Sequence, residues 1–507
     1  MLKTVEMFKV AQRKQLLNPD SAIQMYASSS HSLLSNYGVC YQGLSTGDSA
    51  RYLLCNWEVT CRKAWNWIHQ SPSEKTYYSG WTHVIPASII GNPPLGAAIR
   101  GREAWNKHGI VFGQMGSIPA SLANGEYFPD STPMLVMKNS KDISALWCYY
   151  ESGQYVVDLR KANSKLSLNN GYFTKVPFDL DHWTKVAAEK YPNGLPKPYS
   201  DDPTQWIFYG HPQPSTDPLQ VAVARLLGYT WPAETDEKME LSDEAREWIV
   251  RSQTLSAHAD DDGIVCIPPV GQESAASDRL LNLLAAAYGD AWSNDTLAQL
   301  LNNADHAGKS LETWLREKFF AQHCKRFGNR PFIWQVWDGL SDGFSALVNY
   351  HKLDYKTLES LIYTYLGDWI SRQKRDAENR VDGAQEKLAA AEVLKKRLEL
   401  ILEGEAPYDI FVRWKPLEEQ PIGWNPDLND GVRMNIRPFL SVPDVGKRGA
   451  GVLRDKPNIK WEKDRGADVP SAPWYNLGPE YGGNQGDRIN DHHLSLEEKR
   501  LARDKTS

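Results

Sequence analysis

The sequence predicts an α+β protein: an irregular, mixed β-rich domain, then a helical domain with a long helix or helical hairpin, then an extended, aromatic-rich C-terminal segment. Three observations predict it. From about Tyr37 to Pro214, short apolar runs rich in Val, Tyr, Phe and Thr are broken by Gly, Pro and Asn, a texture that suits strands. From about Leu219 the apolar residues recur at i, i+3, i+4 and i+7, the spacing of one helix face. A composition of 41% apolar and 24% charged residues over 507 positions suits several globular domains rather than a disordered chain.

Taken in order, residues 1–36 read as a short helical junction, with Leu2, Val5, Phe8 and Leu16 on one side. Residues 37–215 form the mixed domain, and four of its runs read as strands: GIVFGQMGSIPA, TPMLVMKN, ALWCYYESGQYVVDLR and GYFTKVPFD. The segment Tyr191–Pro218 holds seven prolines and reads as a linker or long loop. Residues 216–309 form a helical insertion, with LQVAVARLLGY, SDEAREWIVRSQ and DRLLNLLAAAYG as amphipathic helices. Residues 310–410 form a second helical part. Asp243 and Ser310 occupy positions suited to N-caps, since their side-chain oxygens can accept from the first-turn amides. Leucines recur from Lys356 to about Glu403, as one helix about 70 Å long or as a hairpin broken near Asp382-Gly383. Residues 411–507 are Trp-, Pro- and Asn-rich and end in a charged tail.

No run approaches the length of apolar sequence that crosses a bilayer, and the first residues lack a secretory h-region. The six cysteines form no C-x-x-C pair, which speaks for reduced thiols and a cytoplasmic protein rather than a zinc site or disulfide scaffold. The net charge of −6 hides segregation. Glu234–Asp262 is strongly acidic, whereas Leu315–Arg330 and Gly431–Gly466 are basic. Separated basic stretches suit either a polyanion-binding face or simple solvation. Nineteen tryptophans are spread along the chain, and most large aromatics serve as core anchors.

A catalytic constellation is not apparent. There is no G-x-x-x-x-G-K-[ST], H-E-x-x-H or G-x-S-x-G. An adenine-N6 methyltransferase needs a glycine-rich cofactor turn and an [Asn/Asp/Ser]-Pro-Pro-aromatic loop, whose ring stacks on the flipped base. Asn92-Pro93-Pro94-Leu95 has the Asn and the prolines but no stacking plane, and reads as a Pro-rich turn. Ile267-Pro268-Pro269-Val270 is further from the pattern. Asp260-Asp261-Asp262 reads as a solvated acidic loop, and His492-His493 as part of the polar tail.

Three segments are dense in residues that packing alone does not require. Tyr41-Gln42-Gly43-Leu44-Ser45-Thr46-Gly47-Asp48-Ser49-Ala50-Arg51-Tyr52 describes a tight loop with exposed amides beside an arginine, able to cradle a phosphate or base edge. Lys325-Arg326-Phe327-Gly328-Asn329-Arg330-Pro331 leads from a basic helix end into the apolar strand Phe332–Trp337 and an Asp338-Gly339 turn. Pro421–Phe439 (PIGWNPDLNDGVRMNIRPF), followed by Gly451–Arg454 and Pro457–Trp461, gives a turn-rich path suited to phosphates or to bracing neighbouring domains.

In this order the segments resemble the region that follows the catalytic domain in adenine-specific DNA methyltransferases of type IIG restriction–modification systems and of BREX- and DISARM-like phage-defence systems. The resemblance runs from about Tyr37 to Asn490, with Tyr52 where those families have Phe. It implies a specificity component that binds double-stranded DNA and positions a catalytic domain. Those relatives carry several hundred catalytic residues ahead of the first segment, and only about 36 precede it here. Either a separate polypeptide supplies the catalytic domain or the chain is a truncated product. On the first alternative the resemblance implies a methyltransferase catalytic chain as partner, other defence-system proteins as further partners, and S-adenosylmethionine held by that catalytic chain, with none held here. It places Gln42, Thr46, Asp48 and Arg51 near DNA or the catalytic interface, with Lys325, Arg326, Arg330, Arg433, Arg437, Arg454 and Lys460 as phosphate contacts. Arg100, Arg102, Lys107, His108, Gln114 and Ser117 are candidates for reading bases, since Arg and Gln can pair in bidentate fashion with guanine and adenine. The alternatives are a scaffold without DNA affinity, or a self-sufficient methyltransferase or nuclease with degenerate motifs.

Overall fold

The computed structural model describes residues 31–60, 62–73 and 76–405, most of 423–443 and a few further positions, chiefly within 475–486. The chain is α+β. It divides into two compact units, 1–55 with 62–200 and 240–242, and 56–61 with 201–239 and 243–507. The junction helix expected in residues 1–36 lies outside the described residues apart from its end.

Among its described residues the first unit holds seven short strands: β1 (Gly38–Tyr41), β2 (Leu54–Cys55), β3 (Trp65–Ile68), β4 (His83–Pro86), β5 (Gly109–Phe112), β6 (Ala120–Ala123) and β7 (Met134–Met137). They form two sheets, ordered β1-β7-β5-β6 and β2-β4-β3, and every pairing between named strands is antiparallel. Parallel pairing occurs only at isolated bridges such as Leu44 with Pro129, so the expected mixed sheet is antiparallel in its body. Two of the four predicted strand runs are strands, at β5 and β7. The run ALWCYYESGQYVVDLR instead makes two helices, Ile143–Glu151 and Gln154–Ala162, and GYFTKVPFD contributes a 3₁₀ turn at Asn170–Tyr172 and one isolated antiparallel bridge, Pro177 with Leu33, but no strand. The reason is burial on every side. Ala145 through Tyr150 are all buried, and a short continuous apolar run carries no period that distinguishes a strand from a fully buried helix.

The second unit is built on the antiparallel sheet β8-β10-β9, from β8 (Ile264–Cys266), β9 (Ile333–Trp337) and β10 (Ser345–Asn349). The predicted helices form at Pro218–Leu226, Asp243–Thr254 and Ala276–Tyr288, and the 311–326 run splits into Leu311–Glu317 and Phe319–Arg326. Ser310 caps its helix, accepting from the Thr313 amide at 3.2 Å, whereas Asp243 is the first helical residue. The leucine-rich stretch is a hairpin, Leu366–Glu378 packed against Ala384–Glu403, preceded by Tyr355–Ser360 and a π turn at Leu361–Tyr365. It breaks where Gly383 takes φ +74°, a left-handed conformation that an L side chain would resist.

The proline-rich segment is a loop, as its composition indicates, but not a solvated linker. Trp206, Ile207, Phe208 and Tyr209 are all at most 1% exposed, so its second half belongs to the core of the second unit. The unit boundary accordingly falls near residue 200 rather than 215. Burial of His323 illustrates the order of this core: Nε2 accepts from the Ile333 amide at 3.1 Å, which leaves Nδ1 to donate to Gln220 Oε1 at 3.1 Å. That arrangement requires the neutral ring, and burial pushes its pKa down to about 3. Among the described residues no two cysteines are joined by a disulfide. Among the described residues no helix is long and apolar enough to cross a membrane.

Candidate nucleic-acid interface

The first motif and the Arg100–Arg102 segment, some fifty residues apart in sequence, meet on one face of the first unit. The contact starts with two backbone bonds: Ser45 N–H donates to the Ala98 carbonyl and Ala98 N–H to the Ser45 carbonyl, both at 2.8 Å. Leu44 N–H donates to the Phe128 carbonyl at 2.9 Å. Gly43 is required here, because a Cβ would lie 2.0 Å from the Phe128 oxygen. The loop amides are thus partly consumed within the chain, which corrects the expectation of a loop with amides open to a ligand.

Side chains then sort by direction. Thr46 is 3% exposed and its hydroxyl lies 3.3 Å from Ser49 Oγ, so it serves the loop itself. Asp48 precedes the short helix Ser49–Tyr52, and its carbonyl accepts from the Arg51 and Tyr52 amides at 3.2 and 3.1 Å. The Arg51 guanidinium lies over the Tyr52 ring at 4.8 Å. Gln42 Oε1 accepts from the exposed Arg100 at 3.2 Å. Arg102, also exposed, lies 5.3 Å over the Trp105 ring. Beneath them, Leu44, Ile68, Ile85 and Ile89 form a buried cluster, against which Tyr52, Ile99 and Trp105 pack. The polar face therefore stands on a core whose dense packing holds it in place.

The Asn92-Pro93-Pro94-Leu95 string adjoins this face. Its helix, Ala87–Gly91, ends where Asn92 N–H donates to the Ser88 carbonyl at 2.8 Å. Ala97 N–H then donates to the Pro94 carbonyl at 3.0 Å, closing a turn with Leu95 and Gly96 at its centre. Gly96 has φ +84°, the value a type II turn requires at its third position. A Cβ on Gly47 would lie 2.9 Å from the Gly96 carbonyl carbon, so the two loops meet glycine against glycine.

The remaining candidates of the first unit lie elsewhere on it. Lys107 is exposed. His108 Nε2 lies 3.7 Å from Glu240, and it lines a cavity of about 420 Å³ with Asn124, Lys141, Lys197 and Glu240. Near that cavity, burial pushes the Glu126 carboxyl up to about 7, with Glu240 adding to the rise and backbone donors opposing it. Gln114 is half-buried, its Nε2 donating to the Asp130 carbonyl at 3.4 Å, and Ser117 is exposed on the β5–β6 connection.

In the second unit the basic candidates behave differently. Arg326 is held by Asp202 at 2.9 Å and Asp217 at 2.6 Å. Arg330 pairs at 2.6 Å with Glu58, whose side chain is fully buried. Both guanidiniums are committed to carboxylates, and only Lys325 is exposed, beside a cavity of about 340 Å³ lined also by Asp217, Gln220, Asn303 and Gln322. Arg437, Arg454 and Lys460, and the side chain of Arg433, lie outside the described residues. The described part of the third motif packs inward. Trp424 is fully buried, Phe439 lies 4.7 Å from Trp334, and Asn435 Nδ2 donates to the Tyr350 hydroxyl at 2.8 Å.

The acidic run is also structural, which corrects its reading as a solvated loop. One Asp260 oxygen accepts from the amides of Asp262, Gly263 and Ile264 at 2.7–3.2 Å, and the other pairs with Arg279 at 2.9 Å. Asp262 accepts from the Tyr365 hydroxyl at 2.8 Å, and its carboxyl is pushed up to about 6 by burial and by Asp260. Among the described residues no cluster of His, Cys, Asp and Glu is arranged to hold a metal ion. The chain matches no known family model and no curated protein.

Proposed function

We propose that this chain is the DNA-recognition component of an adenine-N6 DNA methyltransferase in a restriction–modification or phage-defence system. It binds double-stranded DNA and positions a methyltransferase catalytic domain, which binds S-adenosylmethionine. The observation that carries the DNA part is the face on which Gln42, Arg51, Arg100 and Arg102 come together. Arginine and glutamine of this kind suit phosphate oxygens and purine edges in the major groove. Arg100 and Arg102 have no carboxylate partner among the described residues, so binding a polyanion breaks no ion pair. The methyltransferase part is supported by the three ordered segments that resemble those families.

The test is reconstitution. The full chain is mixed with a methyltransferase polypeptide carrying a glycine-rich cofactor turn and an Asn-Pro-Pro-aromatic loop, together with S-adenosylmethionine and a plasmid library. The proposal expects N6-methyladenine at one sequence from the mixture and none from either chain alone. Methylation by the partner at the same sequence without this chain contradicts it.

A further inference from the structure

We propose that Leu95 is an apolar wedge that enters the base stack of bound duplex DNA, an inference that rests on the DNA-binding reading above. Leu95 is 104% exposed, and the next most exposed large apolar side chain among the described residues, Leu166, reaches 70%. Water is an unfavourable environment for such a side chain. Nothing about the turn leaves its position to chance. Pro93 and Pro94 restrict the approach, the Ala97-to-Pro94 bond closes the turn, and the paired Ser45–Ala98 bonds fix its base to the first-motif loop. A leucine held at the tip of a braced two-residue turn is a narrow, rigid projection.

The surroundings select the occupant. A protein partner would be expected to cover a contiguous apolar core, but Leu95 stands alone as a large exposed apolar side chain in its turn. Beside it are the two prolines, exposed Asn92 and Gly96, and Gly47 against Gly96, and Arg100 follows on the same segment. The charged groups on this face are Arg51, Arg100 and Arg102 against Asp48 and Glu103. An isolated apolar tip among arginines fits a duplex, where cations meet the phosphates and leucine enters between base steps, unstacking and kinking them.

The experiment is a relaxation assay that needs no knowledge of the recognised sequence. Closed circular plasmid is relaxed by a topoisomerase in the presence of the full chain, stripped of protein, and its topoisomers are resolved, while filter binding on the same plasmid reports affinity. Wild type is expected to bind and to lower the linking number of the recovered plasmid. Leu95→Ala is expected to bind plasmid but to lose most of that shift, and Leu95→Phe to retain it. Binding by wild type without a topological change, or an undiminished shift with Leu95→Ala, overturns the wedge and leaves the DNA-binding reading standing. Absence of plasmid binding by wild type overturns both.

Discussion

Arginine does opposite work in the two units. In the second unit Arg225 and Glu234 are paired with about 5% of each side chain exposed, Arg330 pairs with the buried Glu58, and Arg326 is held between two aspartates. In the first unit Arg100 and Arg102 are exposed, one bonded to Gln42 and the other stacked on Trp105. The first set is bound to carboxylates, of which Glu58 and Glu234 are buried and Asp202 and Asp217 half-buried, and the second presents charge to the outside. The difference teaches that a basic stretch in a sequence is not yet a basic surface, because the partner that cancels each charge lies elsewhere in the chain.

Removing a member of the paired set should have the largest effect. Arg225→Met leaves the Glu234 carboxylate buried beside Gly210 without its cation, a class of change that costs about 3–5 kcal/mol. The expected result is a large drop in the denaturant midpoint, much of it recovered in the Arg225→Met/Glu234→Met double variant. A double variant as unstable as the single one would show that the pair is not what the core requires. On the other side of the comparison, Arg100→Ala with Arg102→Ala should shift stability by no more than about 0.5 kcal/mol. The same variant should weaken duplex binding and flatten its log–log salt dependence by about two. Equal binding by wild type and double variant, measured by fluorescence anisotropy, would remove these residues from the interface.

A smaller effect tests titration in the first unit. Glu126 has a folded pKa of about 7 against an ordinary 4.5. Its protonated form is therefore favoured by folding, and its contribution is fully present below pH 4.5 and lost as pH rises through 7. Glu126→Gln should accordingly gain stability relative to wild type between pH 5 and pH 8, read from thermal melts across that range. A constant difference between the two proteins over the range would contradict this. Smallest of all, Thr46→Val should cost about 1 kcal/mol through the lost hydroxyl bond, with DNA affinity unchanged. A loss of affinity without a loss of stability would return Thr46 to the binding face.

Much of the helical half was legible in the sequence because its signal is periodic: Ala276–Tyr288 and the 366–403 hairpin show the spacing that a half-buried helix imposes. The first unit was less legible where burial erases the period, as at Ala145–Tyr150. Trp206–Tyr209 lies in a loop, as the prolines around it indicate, but its composition did not reveal that these four consecutive residues are core. At the candidate site, the motif density around Gln42–Arg51 singled out a loop that the structure braces against the Arg100–Arg102 segment. What it could not give was long-range pairing: Ser45 with Ala98, which brings Arg100 alongside, and Glu58 with Arg330, which takes that arginine out of use. Leu95 carried a usable signal, a large apolar residue in a Pro-Pro-x-Gly turn, but only its full exposure made the signal meaningful.

The account depends most on the claim that the first unit presents its arginines to DNA phosphates. Titrating duplex binding by the full chain against salt tests this directly. The account predicts that log affinity falls linearly with log salt at about −0.9 per phosphate contact, and that the slope is reduced by Arg100→Ala and Arg102→Ala. An affinity indifferent to salt, or a slope unchanged in those variants, would contradict it.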